Sequence, residues 1–327
     1  MLNDDITFIP HGDNGERVDQ IVTQYDHVAA LLRDPRMNRE RDGSSTWTPP
    51  ENWKPYFEMV DQWMLMRDPP HHTRLRGLVN KAFTPAAVNQ LRGRIQVIAN
   101  GLLDEAEQRE QFDLIAEYAF ELPVRVIAEM LGVPTEQRDQ FKDWSNKLAN
   151  ALDFNDKSSV MDDATVAANE MTAFMRELIA AKRTKPTDDI LTGLVQAEQD
   201  GDRLSEDEVI STCGLLLFAG HETTVNLIGN GALAFLRHPD QLALLQREPA
   251  LLPNAIEEIL RYESPVQATA RNVSEDVQVG NATLSKGREV MIVIGAANRD
   301  PRHFTNPDHF DITRNEAKHQ AFGGGIH

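Results

Sequence analysis

Cysteine is the scarcest resource in this sequence. Its 327 residues hold one, Cys213, so the chain can form no internal disulfide and no cysteine-rich zinc site. Positive charge is also short: 33 Lys and Arg stand against 51 Asp and Glu, a formal net charge of -18, which argues against nucleic acid or an anionic membrane as partner. Long apolar runs are missing too. The best candidate, residues 205–237, is interrupted by Gly220, Glu222, Thr223, Thr224 and Asn226, leaving about 15 apolar residues where a bilayer needs about 20. The N-terminus carries Asp4 and Asp5 and no apolar stretch of secretory type, so the expectation is a cytoplasmic protein. There are no internal repeats and no low-complexity tracts.

The same interrupted stretch is the one around which the chain is organised. Ser205 followed three residues later by Glu208 forms a capping box, which starts a helix at Glu206. Its periodic apolar residues, among them Val209, Ile210, Leu215, Leu227 and Leu233, run on until His238-Pro239 stops it. Cys213 falls among them and reads as a small buried side chain. In the middle, Ala219, Gly220, His221, Glu222, Thr223 and Thr224 set an acid beside two hydroxyls. Thr223 can turn its hydroxyl back to the Ala219 carbonyl, loosening the helix where Gly220 already weakens it. Two readings stand: a polar notch with a chemical purpose, or a kink with a solvated Glu.

Helical periodicity recurs at 26–33, 85–109, 112–131, 135–152, 162–182, 239–246 and 253–262. A β-hairpin is expected over 6–21, with turn residues Gly12, Asn14 and Gly15, and strands over 277–294 with Arg271 just upstream. Residues 39–66 mix Gly43, Pro49, Pro50 and Pro55 with Trp47, Trp53, Tyr56, Phe57 and Trp63. That stretch reads as a loop too irregular for a helix, either a lid or a surface strap. The break at Asp153, Phe154, Asn155 and Asp156 lies between two helices and could move. His72 and Arg76, four apart after Asp68-Pro69-Pro70, share a helix face and form either a grip for a carboxylate or an ordinary surface pair. Glu258 and Arg261, three apart, make a weak surface bridge or, if buried, a fixed joint.

Five stretches, taken in order, resemble the cytochrome P450 family, the haem-thiolate monooxygenases, in its soluble bacterial form. They are DPPHHTRLR at 68–76, AGHETT at 219–224, EEILR at 257–261, NRDP at 298–301 and FGGGIH at 322–327. The resemblance implies a mainly α fold with a small β-rich lobe, spanning 1–327 as one domain and incomplete at both ends. It implies haem b as cofactor, with His72, Arg76, Arg271 and His327 at the propionates and Ala219, Gly220, Phe322 and Gly323 also against the haem. Glu222 and Thr223 match the acid and alcohol that deliver protons during oxygen activation. Glu258 and Arg261 match a buried structural ion pair whose third member would be His309.

Substrate-facing positions would be Leu217, Phe218, Val266, Gln267 and Thr269, together with the Trp-rich stretch and residues 148–161. The implied activity is hydroxylation of an apolar small molecule with O2 and two electrons from a ferredoxin or flavodoxin-type partner. The ligating cysteine would fall two residues beyond His327, so a chain of this length alone is expected to lack thiolate ligation and turnover. The alternatives are a shortened, non-catalytic relative and a haem-binding or sensing protein, the latter having no need of Glu222 and Thr223.

Overall fold

The chain opens as a hairpin, β1 (Thr7–His11) antiparallel to β2 (Arg17–Val22), and enters the short helix α1 (Tyr25–Leu31) and the strand β3 (Met37–Asn38). The computed structural model describes residues 6–11, 17–40, 48–151, 158–199, 201–316 and 318–327. The hairpin turn at Gly12, Asn14 and Gly15, the segment holding Gly43 and Trp47, and the break at 153–156 lie outside them.

The expectation of an irregular loop over 39–66 is corrected by α2 (Lys54–Asp61), which 3-10 turns flank at Glu51–Trp53 and Met64–Met66. Pro55 stands in its first turn, where a missing N–H costs nothing because no helical acceptor lies behind it. Tyr56, Met59, Val60 and Trp63 are buried, so these aromatics belong to a core.

Next come α3 (His71–Ala82), α4 (Pro85–Glu107), a π-helical turn at Leu114–Ala119, α5 (Glu121–Met130), α6 (Arg138–Asn150) and α7 (Ser158–Thr184), close to the expected periodic segments. A short helix α8 (Ile190–Gln196) and a hairpin of β4 (Glu198–Gln199) and β5 (Asp202–Arg203) were not foreseen. The chain continues through α9 (Glu206–Arg237), α10 (Pro239–Arg247), α11 (Leu252–Tyr262), β6 (Thr269–Val273), β7 (Val277–Val279), β8 (Ala282–Leu284), β9 (Glu289–Ile292) and α12 (Ile294–Ala297).

Contacts group the chain into two compact units, Met1–Thr46 with Asn226–His327, and Trp47–Val225. The first holds the five-stranded sheet, in the order β1-β2-β9-β6-β3, with β2 parallel to β9 and the other pairs antiparallel. Val22, Val28, Leu31, Val290, Ile292 and Phe304 fill its core. Arg271 lies inside β6, opposite Val290, rather than upstream of the strands as expected. Polar Asn272 and Arg271 interrupt the alternation there, so the strand is hard to see in the sequence. The second unit is helical and packs Trp63, Phe141, Trp144, Met171, Ile179 and Cys213 into one core.

α9 has 32 residues, so at 1.5 Å per residue it is about 48 Å long. Its start is the foreseen capping box: Ser205 Oγ accepts from the Glu208 N–H at 3.2 Å and Glu208 Oε2 accepts from the Ser205 N–H at 2.7 Å. Arg74 adds a hydrogen bond of 2.6 Å to Glu208 Oε1 and binds Asp202 at 2.5 Å. Burial opposes ionisation of Glu208, but Arg74 and the Ser205 N–H outweigh it and hold the carboxyl below its usual range. Pro239 opens α10 immediately after α9 ends.

Candidate functional site

The middle of α9 departs from the burial of its neighbours. Leu215, Leu217 and His221 are buried, whereas Ala219 is exposed and Leu216, Gly220, Glu222 and Thr223 are half-buried. Leu216, Ala219, Gly220 and Thr223 are spaced i, i+3, i+4 and i+7, so they make one open stripe of mostly small residues. The Thr223 hydroxyl donates to the Ala219 carbonyl at 2.8 Å, as expected. Thr224 does the same to the Gly220 carbonyl at 2.9 Å. Two successive carbonyls are therefore shared between the helix ladder and a hydroxyl, which weakens the turn on which Glu222 sits. Gly220 packs closely on α5: a Cβ there would stand 3.0 Å from Ile127 Cδ1, so the tip of that side chain would have to give by a few tenths of an ångström.

In the same unit, α3 carries His72 and Arg76. His72 is buried and Arg76 exposed, so the shared face is tilted, with the imidazole inward. Burial first, and the charge of Arg76 second, push the His72 pKa down, with Asp68 opposing. A buried imidazole beside Arg76, a cation that has no ion pair among the described residues, can accommodate a further negative charge. A carboxylate such as a haem propionate would supply it. Ala219, with its small exposed side chain on the open stripe, would admit a flat group, so these residues fit haem.

The other unit holds the remaining candidates. Arg271 is buried and donates to Thr269 Oγ1 at 2.8 Å and to the Ala270 carbonyl at 2.9 Å. Gln267 donates to the Ser264 carbonyl at 2.7 Å, while Val266 is exposed. Phe322 is 78 % exposed, Gly323 has a φ of +69°, and His327 is half-buried.

Glu258 and Arg261 on α11 are 3 % and 2 % exposed. They form a two-pronged ion pair, Nε to Oε2 at 2.7 Å and Nη2 to Oε1 at 2.8 Å. Arg261 Nη1 donates to the carbonyls of Asn298 and Pro307 at 2.9 and 2.8 Å, and Nη2 to that of His309 at 3.2 Å. All five guanidinium N–H groups are thereby used. The third member of the cluster is Arg314, not His309: Arg314 Nε lies 3.2 Å from Glu258 Oε2. His309 contributes its backbone carbonyl, which also accepts from Arg314 Nη2 at 3.0 Å. An imidazole is short, and an arginine five residues later reaches the carboxylate from the irregular segment.

A family model described as Cytochrome P450 matches residues 13–327. Cytochrome P450 107B1 of Saccharopolyspora erythraea is 47 % identical over 94 % of this chain and 76 % of its own length. The chain belongs to the cytochrome P450 family. Among other P450s, the vitamin D(3) 25-hydroxylase of Pseudonocardia autotrophica is 43 % identical over 94 % of this chain and 74 % of its own length. The solved structure of P450BioI, in complex with acyl carrier protein ligated to hexadec-9Z-enoic acid, superposes with a TM-score of 0.88 at 40 % identity, covering 95 % of this chain and 80 % of that one. PksS of Bacillus subtilis also reaches 0.88, at 37 % identity, over 99 % and 80 % of the two chains. This P450 is accordingly a haem-dependent monooxygenase that oxidises a small molecule with O2 and electrons from a redox partner. Its mainly α fold with a small sheet is that of the family.

Some expected pocket residues lie elsewhere. Leu217 is fully buried in the helical core, because a step of two residues from Ala219 turns a side chain to the far side of the helix, and Leu148 and Met161 are buried in the same core. Phe218 is half-buried and stacks on Trp63 with ring centroids 5.3 Å apart. Cys213 is fully buried, and burial pushes its thiol pKa far up, so it is an inert core residue. Leu216, His319 and Arg314 are the functional candidates that the sequence reading left out. The spacing of Leu216 to Ala219 and Thr223 was the available signal for the first, and nothing in the local pattern marked Arg314. Among the described residues no helix is long and apolar enough to cross a membrane.

Proposed function

We propose that this P450 hydroxylates an apolar small molecule, with Glu222 and Thr223 delivering the protons that oxygen activation consumes. The observation that carries this reading is the pair of hydroxyl-to-carbonyl bonds at Thr223 and Thr224, which leave an acid and two alcohols on a loosened turn of a largely buried helix. Haem b, when bound, supplies the iron at which dioxygen is activated. His72, Arg76, Arg271 and His327 would hold its propionates, and Ala219, Gly220, Phe322 and Gly323 would lie against it. Thr223 can surrender its bond to Ala219 and turn its O–H outward, while Glu222 exchanges protons with water. Leu216, Phe218, Val266, Gln267 and Thr269 would face the substrate, the last two as orienting polar groups.

The vitamin D(3) 25-hydroxylase, and P450BioI in complex with acyl carrier protein ligated to hexadec-9Z-enoic acid, are in keeping with an apolar substrate. Electrons would come from a ferredoxin or flavodoxin-type protein, and the setting would be the cytoplasm. Residues 1–327 are read as one domain because α9 contributes unbroken to both units.

The test is Thr223→Ala in the haem-loaded protein. Hydroxylation and release of hydrogen peroxide each use two electrons and two protons, so their ratio reports where the protons go. The expected outcome is intact haem binding, continued electron consumption, and a shift of about 100-fold or more from product toward peroxide, the lower end of general acid–base effects. An unchanged ratio would remove Thr223 from proton delivery.

A further inference from the structure

His319 stands at the entrance to the glycine-rich loop 322–327, and the reading above gives it no role. Its side chain is 8 % exposed and makes two hydrogen bonds of opposite sense, both 3.1 Å long. Nδ1 accepts from the N–H of Ala321, two residues on, which places the ring proton on Nε2, and Nε2 donates to the Glu257 carboxylate on α11. Only the neutral ring, in that one tautomer, does both. The same ring lies against Phe322, the first residue of the loop, with centroids 5.9 Å apart.

The segment entering the loop has a second, interior set of holds. Gln320 donates its N–H to Asn298 Oδ1 and its side-chain amide to the Tyr25 hydroxyl, each at 2.7 Å, and Tyr25 in turn donates to the Lys318 carbonyl. The Gly323 N–H donates back to the Gln320 carbonyl at 2.8 Å, closing a turn. The amides and carbonyls among these groups do not titrate; His319 does. The charged groups facing it are Glu257, Glu258 and Arg261, all on α11. Burial lowers its pKa most and Arg261 adds to that, while the two carboxylates oppose. An Asn at 319 could make the contact to residue 321 as an ordinary Asx-turn, but it is too short to reach Glu257 as well. The imidazole, with a nitrogen on each side of its ring, spans both.

We infer that His319 is a positioning residue for the glycine loop: its Nε2–H tautomer, braced on Glu257, holds the Ala321 N–H and so sets the direction in which Phe322 and Gly323 leave the turn. A proton added at Nδ1 turns that acceptor into a donor facing another donor, while the bond to Glu257 survives. The brace then keeps the ring and releases the loop. Because Phe322, Gly323 and His327 are proposed to lie against the haem, the inference has a consequence that rests on that reading: acid loosens haem binding through this one group.

The experiment uses isotope-labelled haem protein in its reduced, carbon monoxide-bound form, which is diamagnetic. Long-range proton–nitrogen NMR spectra at about pH 7.5, above the ordinary histidine range, should show His319 with Nδ1 bare and Nε2 protonated, its signals assigned by their absence from His319→Asn. Protection of the Ala321 amide from exchange should fall about threefold to tenfold, the size of one neutral hydrogen bond, as His319 titrates below about pH 6.5. His319→Asn should keep the protection and lose its pH dependence, and His319→Phe should lose the protection at every pH. In Glu257→Gln, which keeps an acceptor and removes a charge, the fall should move to lower pH, because Glu257 raises the pKa of the ring. A proton on Nδ1 at about pH 7.5, full protection in His319→Phe, a fall that persists in His319→Asn, or no shift in Glu257→Gln would each overturn the inference. Transfer of haem to apomyoglobin tests the reading beneath it, and should quicken in acid more for the wild type than for His319→Asn. Equal quickening, with the exchange results as expected, would leave His319 positioning the loop and take the loop away from the haem.

Discussion

At the scale of single residues the ion-pair cluster decides most. Removing the Glu258 carboxylate would leave the buried Arg261 guanidinium without its anion and take one of two carboxylates from Arg314, which costs about 3 to 5 kcal/mol. Glu258→Ala is accordingly expected to lower the unfolding free energy by that amount, measured by denaturant titration, and to cut the yield of haem-loaded protein. Stability within about 0.5 kcal/mol of wild type would reduce the cluster to a surface bridge. The assignment of the third member makes a sharper contrast. His309 offers only its carbonyl, so His309→Ala should change stability by less than about 0.5 kcal/mol. Arg314→Ala removes charge-assisted bonds to Glu258 and Glu316 together with three carbonyl contacts, and should cost about 1.5 to 3 kcal/mol. The reverse order in a thermal or denaturant series would restore His309 to the cluster.

At the scale of elements, α9 depends on how its first turn is satisfied. Ser205→Ala deletes the acceptor for the Glu208 N–H and should cost about 1 kcal/mol. The loss should appear as faster amide exchange in the first turn and leave the middle of the helix unaltered. This start was legible beforehand because Ser205 and Glu208 are local to one another, as are Thr223 and Ala219, whose bond was also foreseen. Other features were hidden because their causes lie far along the chain. β6 is a strand because it pairs with β9 and β3, not because of its own alternation. α2 was obscured by its proline, which only the helix boundary renders harmless. Leu217 was misplaced by treating adjacent residues as one wall when a helix turns by 100° between them. The Glu257–His319 contact spans 62 residues, and no short-range pattern could announce it.

At the scale of the whole molecule, charge and buried histidines set the response to pH. His221 is held neutral with a pKa near about 4, and burial also lowers that of His319, against the opposing pull of Glu257. The unfolded chain takes up protons at these positions below about pH 6.5, and the folded chain takes them up only at lower pH. Stability from this source is therefore complete above about pH 6.5 and is lost as pH falls from there toward about 4. Acidification also relieves the repulsion of a net charge of -18, but the carboxylates responsible titrate mainly below about pH 4.5. Denaturation midpoints are expected to decline between pH 6.5 and 5, and less steeply in His221→Phe. Equal slopes would place the proton uptake elsewhere. Cys213 has a bearing on how such experiments are done. A thiol with no solvent access and a strongly raised pKa will not react with maleimide or methanethiosulfonate reagents while the helical core is intact. Within these residues a cysteine introduced on the exposed side of α6 would then take a spin label or fluorophore alone, and the position of that helix could be followed by distance without first removing the native thiol.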